Sequence, residues 1–329
     1  MPKCPKCGKK FGTLQALNDH FRSLHPGERF VAPKATSASR NFVVVIVIVI
    51  IVMGSLVGFL IYSQLMDQKP STPPINIAIL NQPISAALYQ NLSGVTTATL
   101  NAVGTGGSAV TPPTRVSGAA LTNDGKPEML YIGAEFCPYC AAERWSMVIA
   151  LSKFGTFSNI EYMASSANDV FANTPTFTFV NATYTSQYIS FVSVEQLDRN
   201  SQPLQSTTST QAALMNNYDK SNSIPFIDIG NNYSVVGSQY QPSTIDGKNW
   251  TQIGGQLNNA SSLITKAIDG TANTLITAIC GMDGQQPSSV CGQSFAKQPL
   301  LISPGNSFSS QPILSIPTMQ ENPRLEPVI

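Results

Sequence analysis

Six cysteines and two histidines fall into three groups along these 329 residues, and that grouping constrains the chain more than any other feature. Cys4 and Cys7 stand with His20 and His25 in the spacing C-x2-C-x12-H-x4-H. Cys137 and Cys140 make up Cys-Pro-Tyr-Cys, and Cys280 and Cys291 bracket the loop GMDGQQPSSV. Two thiolates on a turn and two imidazoles one helical turn apart can converge tetrahedrally on zinc. A segment this short buries too little to fold alone, so the metal supplies the folding energy. The expected cofactor is zinc, held by Cys4, Cys7, His20 and His25 and nowhere else. Both histidines are used there, which excludes Ser-His-Asp and Cys-His catalysis and His-ligated metal sites from the rest of the chain. Cys280 and Cys291 fit a structural disulfide worth about 3 kcal/mol by loop-closure reasoning. An all-cysteine zinc site from Cys137, Cys140, Cys280 and Cys291 stays open at this point.

Charge divides the chain in the same place as hydropathy. Residues 1–41 carry eight Lys/Arg against two Asp/Glu, and residues 67–329 carry eleven against sixteen. Between them Phe42–Tyr62 is an uncharged run beginning FVVVIVIVIIVMG, about 31 Å long as a helix, which matches a bilayer core. The basic flank predicts a cytoplasmic N-terminus. The expected organisation is a zinc finger over 1–28, a basic linker 29–41, a single transmembrane helix 42–62 and a Pro-containing linker 63–78. An extracytoplasmic domain over 79–291 and a Pro-rich tail 292–329 follow. Five N-x-S/T sequons (Asn91, Asn181, Asn232, Asn249, Asn259) lie in the outer part, about as many as its composition gives by chance.

The N-terminal spacing, with Phe11 and Leu17 at the miniature-core positions, resembles a small ββα Cys2His2 zinc finger. The resemblance puts the base-reading positions on Thr13, Ala16 and Asp19, none of which makes a good bidentate contact to a base. One finger also reads only about three base pairs. The finger is therefore expected to dock a cytoplasmic protein partner rather than nucleic acid.

Further on, Met129–Gly133 reads as a buried strand, followed by Ala-Glu-Phe-Cys-Pro-Tyr-Cys and a run with Ala141, Trp145, Val148, Ile149 and Leu151 at helical spacing. Strand, C-x-x-C and helix in that order is the arrangement of a thioredoxin-type redox site. Cys137 falls at the helix N-terminus, where unpaired N–H groups favour a thiolate, and Cys140 one turn inside. By resemblance to thioredoxins, Pro225 opens a strand against the C-x-x-C and Ile224 before it contacts substrate. A helix is expected over about Trp250–Ile268. Residues 165–222 look like an insertion in that fold. The basic end, the apolar run, EFCPYC and IPFIDIGN together resemble an archaeal family of membrane-anchored thioredoxin-like proteins, domain of unknown function family 929.

These observations lead to an α/β thioredoxin-like domain with an insertion, anchored in the cell membrane by one helix. The expected activity is thiol–disulfide exchange on the thiols or disulfides of exported proteins, Cys137 attacking and Cys140 resolving. The alternative is a non-catalytic scaffold or binding protein of the same fold whose zinc finger docks a partner.

Overall fold

The computed structural model describes residues 1–27, 31, 53–55, 57–58, 75–297 and 300. The chain divides into two compact units, Met1–Ser71 and Thr72–Ile329.

In the first unit Lys3 and Lys10 pair as an antiparallel bridge, and the Cys4 N–H donates to the Lys9 carbonyl at 2.8 Å. Gly8 closes this turn with a positive φ of 73°, a conformation that costs glycine nothing. Helix α1, Leu14–Leu24, starts at Thr13, whose hydroxyl accepts from the Ala16 N–H at 3.1 Å. Leu17 and Phe21 turn inward against Cys4, with Phe11 at the edge. The expected ββα hairpin is corrected to a single bridge: the turn between Cys4 and Lys9 leaves room for one pair, not for two strands.

The second unit begins with helices α2 (Ala86–Ser93) and α3 (Thr97–Val103). Strands β1 (Thr114–Arg115), β2 (Thr122–Asn123) and β3 (Lys126–Gly133) follow, then α4 (Pro138–Leu151). Next come β4 (Gly155–Ser158), β5 (Glu161–Ala164), β6 (Pro175–Thr178), β7 (Thr183–Ser186) and β8 (Ser190–Glu195). The unit continues with α5 (Ser209–Tyr218), β9 (Phe226–Ile229), β10 (Tyr233–Val236), α6 (Trp250–Gly254), α7 (Leu263–Met282) and α8 (Ser288–Cys291). The main sheet has six strands and is centred on β3. On one side β3 pairs antiparallel with β9 (Tyr131 opposite Ile227), and β10 and β1 extend that edge. On the other it pairs parallel with β8 (Tyr131 opposite Ser193), and the short β2 pairs antiparallel with its first residues (Asn123 opposite Lys126). Two separate two-stranded sheets, β4–β7 and β5–β6, stand outside it.

Because β3 is central and Met129 to Ile132 are fully buried, its alternate side chains feed two cores. Met129 and Tyr131 join the larger core with Trp145 and Val148 of α4 and Ile268 and Leu275 of α7. Leu130 and Ile132 join the smaller one with Phe226, Val194, Met215 and the two cysteines of α4. Two buried indoles hold β6 in place: Trp145 donates to the Pro175 carbonyl at 2.9 Å and Trp250 to the Thr176 carbonyl at 2.7 Å. Cys280 and Cys291 are joined by a disulfide, with Cα atoms 5.6 Å apart, which ties the end of α7 to α8.

Three expectations are corrected. The fold of the second unit is a mixed α/β domain, not the thioredoxin-like domain with an insertion: residues 114–123 add two strands to the main sheet, and β8, from within residues 165–222, is a partner of the central strand. No helix among the described residues is long and apolar enough to cross a membrane. Spanning takes about 20 consecutive helical residues, and of the run expected to do so only 53–55 and 57–58 fall within the described residues. The single-pass anchor, the cell-membrane location and the cytoplasmic and extracytoplasmic assignments that depended on it are therefore withdrawn, and with them the expected membrane-anchored oxidoreductase acting on exported proteins. Finally, the helix expected over Trp250–Ile268 is two, α6 ending at Gly254 and α7 beginning at Leu263.

Candidate functional site

In the first unit the four side chains singled out from spacing are brought together. Cys4 Sγ lies 3.7 Å from His25 Nε2, and Cys7 Sγ lies 3.2 Å from His20 Nε2. All four donor atoms fall within 4.8 Å of one another. The turn supplies both sulfurs, and α1 supplies both imidazoles from its last turn, His25 being the C-cap residue. A tetrahedral zinc ion with two sulfur and two nitrogen ligands has S···N edges of about 3.6 Å, from bonds of about 2.3 and 2.0 Å. The observed separations lie on either side of that value, so the cluster fits a metal ion in size and donor type. Cys4 is buried and Cys7 is exposed, which leaves the site reachable from one side.

In the second unit Cys137 caps α4, accepting from the Cys140 N–H at 3.4 Å, with Pro138 at the first helical position where its missing donor costs nothing. Cys137 is 6% exposed and Cys140 fully buried. Ile224 and Pro225 also come to this place: the peptide between them is cis, and the Ile224 carbonyl is 3.9 Å from Cys137 Sγ. Burial works against a Cys137 thiolate. Hydrogen bonds from the Cys140 thiol and from the N–H groups of Cys140 and Tyr139, aided by the charge of Arg144, outweigh it and hold the thiol below its usual range. Burial pushes the Cys140 thiol well up, and the neighbouring Cys137 adds to the shift. The two sulfurs are thus set apart, one predisposed to ionise and one to keep its proton. An all-cysteine zinc site is ruled out by the Cys280–Cys291 bond.

Three buried charged residues that the sequence did not single out stand on α4 and β8. Arg144 and Glu195, both fully buried, form a bidentate ion pair, Nε to Oε1 at 2.9 Å and Nη2 to Oε2 at 2.6 Å. Arg144 also donates to the Ala134 carbonyl at 2.9 Å and lies over the Tyr131 ring. Two adjacent charges, Glu143 and Arg144, inside an otherwise apolar helix were the available signal. Glu143 accepts from the Gln239 N–H at 2.9 Å, and burial raises its carboxyl to about 7.

No curated protein and no solved structure matches the chain. Residues 112–281 match a family described as a domain of unknown function, DUF929. The match carries no membrane anchor and no thioredoxin fold, so the wider resemblance to membrane-anchored thioredoxin-like proteins is corrected to the domain alone. It spans just over half of the chain and includes β3, Cys137, Cys140, Ile224, Pro225 and Cys280. The chain belongs to the DUF929 family.

Proposed function

We propose that this is a binding protein whose N-terminal finger holds zinc and docks a protein partner. The observation that carries the reading is the convergence of two thiols and two imidazoles within 4.8 Å in a unit whose buried apolar side chains, among the described residues, are Cys4, Leu17 and Phe21. Zinc favours this donor set in closed tetrahedral sites, and closed sites are structural rather than catalytic. Leu14 and Leu24, at the two ends of α1, are 51% and 64% exposed, and the same unit carries Arg22 and the lysines of the turn. Apolar side chains framed by cations suit an acidic, partly apolar protein surface. Placing a photo-crosslinking residue at Leu14 of the full chain, with and without zinc, tests this. A protein adduct that requires zinc supports docking; an adduct to nucleic acid, or none, removes it.

A second reading is favoured by the placement of Cys137, capped and nearly buried beside the Ile224 carbonyl. In this reading the pair exchanges with a substrate disulfide. Cys137 thiolate attacks one substrate sulfur and the other leaves as a thiolate. Cys140 then attacks Cys137, forming the Cys137–Cys140 bond and releasing the second substrate sulfur as a thiol. Two electrons pass from the dithiol to the substrate, and no organic or metal cofactor takes part. Differential alkylation across a graded glutathione buffer tests it: exchange between roughly −120 and −270 mV supports the reading, and a pair that never reduces overturns it.

A further inference from the structure

Two buried hydrogen-bond donors near Cys140 have no acceptor. The Tyr131 hydroxyl and Arg144 Nη1 are both inaccessible to solvent and find no hydrogen-bond partner among the described residues. Burying a donor unsatisfied costs about 1–3 kcal/mol, more for a charged group, so two at one place call for an explanation. Both are held where they are by specific packing. Arg144 is fixed by both Glu195 oxygens and the Ala134 carbonyl, and its guanidinium lies 5.6 Å from the centre of the Tyr131 ring. Tyr131 runs along its strand over Gly133, where a Cβ would stand 2.0 Å from the phenolic oxygen. The absence of a side chain at Gly133 makes room for that hydroxyl.

Cys140 is the group nearby that can become an acceptor. It is fully buried one turn before Arg144 on α4, and its thiol interacts with the Tyr131 hydroxyl and with the Arg144 charge. Cys137 is the other ionisable group acting on it; Glu195 on β8, already committed to Arg144, faces Tyr131, and Glu135, which accepts from the Thr178 hydroxyl at 2.5 Å, faces Glu195 and Arg144. We propose that Tyr131 and Arg144 form a buried anion seat that stabilises the Cys140 thiolate when it resolves a mixed disulfide on Cys137. This rests on the dithiol reading above. Tyr131 gives the sulfur a hydrogen bond, Arg144 gives it a counter-charge, and Glu195 is a positioning residue that keeps the guanidinium in place. In the step itself Cys140 sulfur bonds to Cys137 sulfur, the bond from Cys137 to the substrate sulfur breaks, and that sulfur leaves with the electron pair. It takes up the proton that Cys140 gave up.

The test uses the full chain carrying Cys4→Ser and Cys7→Ser, with Cys137 and Cys140 as free thiols, and dithionitrobenzoate as the disulfide. Attack by Cys137 releases one coloured thiolate and resolution by Cys140 releases a second, so the two steps are read separately in a stopped-flow instrument. Tyr131→Phe keeps the ring and removes only the hydroxyl. It should slow the second release about ten- to a hundredfold at neutral pH, the range expected for a lost hydrogen bond to a charged group. It should also move that step's pH profile to higher pH and leave the first release unchanged. Arg144→Met combined with Glu195→Leu removes both charges together and should shift the same step in the same direction. Unchanged second release in both variants overturns the seat while leaving the dithiol reading intact. Absence of any second release from the parent chain overturns both.

Discussion

The two units of this chain hold their shape by opposite means. Residues 1–25 have Cys4, Leu17 and Phe21 fully buried, one backbone bridge and a four-donor cluster. The second unit buries both faces of a six-stranded sheet and covers one of them with α4 and α7. In the first, chemistry substitutes for a core. In the second, the core is large enough to carry a buried ion pair, the carboxylate of Asp269 with neither oxygen hydrogen-bonded, and orphaned donors such as the Tyr131 hydroxyl. A small unit has no surplus for such groups, whereas a large one can place them where they serve a site.

The largest effect that would sharpen this contrast is metal removal. Zinc binding in such a cluster amounts to roughly 10–16 kcal/mol at neutral pH, so Cys4→Ser, His20→Ala or a chelator should abolish amide protection across residues 1–25. Hydrogen exchange should find Met129–Gly133 of β3 unaffected; persistent protection of α1 without metal would break the comparison. Next in size is Arg144→Ala, which leaves Glu195 buried without its partner and should cost about 3–5 kcal/mol in a denaturant titration. The paired replacement Arg144→Met with Glu195→Leu should cost far less, since no charge is stranded. Replacing Cys280 and Cys291 by alanine together opens the α7–α8 loop and should cost about 3 kcal/mol, measured the same way.

The last expected effect is on pH. Burial raises Asp228 to about 6, Glu143 to about 7 and Asp269 to about 8. Each binds its proton more tightly folded than unfolded, so each contributes stability that is complete below about pH 4. That contribution falls as pH rises through 6 to 8 and is constant above. Asp269 has neither oxygen hydrogen-bonded, and Lys153 is the charge that opposes its shift. Asp269→Asn should therefore flatten the upper part of the profile, read as Tm between pH 5 and 9. A Tm that climbs with pH in the parent chain would contradict this assignment.

Much of the candidate chemistry was legible in the sequence because its determinants are local. The spacing of Cys4, Cys7, His20 and His25 encloses its own turn and helix, and Cys137-Pro138 marks a helix start without outside help. Ile224 and Pro225 were placed beside Cys137 by resemblance, since nothing local connects Cys137 and Ile224 across 86 intervening residues. What escaped was non-local. Tyr188–Val194 reads as a strand, but only pairing with β3 decides that it belongs to the main sheet. The helix over Trp250–Ile268 failed because Gly254 and Gly255 end one helix, and the next starts at Leu263 with a buried face that begins at Ile264. The apolar run 42–62 shows the reverse difficulty, since composition supports a reading that the described residues do not.

By itself the sequence determined the candidate metal-donor set, the helix that Cys137 caps and Cys140 enters, and the closing cysteine pair. In each, the participating residues lie within about one supersecondary unit, and spacing alone fixes their geometry. Only the tertiary structure decided that β8 flanks β3 and that Glu195 clasps Arg144 across 51 residues. It alone set the Tyr131 hydroxyl over Gly133 beside Cys140. Those contacts depend on sheet order and on which face of β3 each side chain takes, and both are settled when the two cores close around that strand.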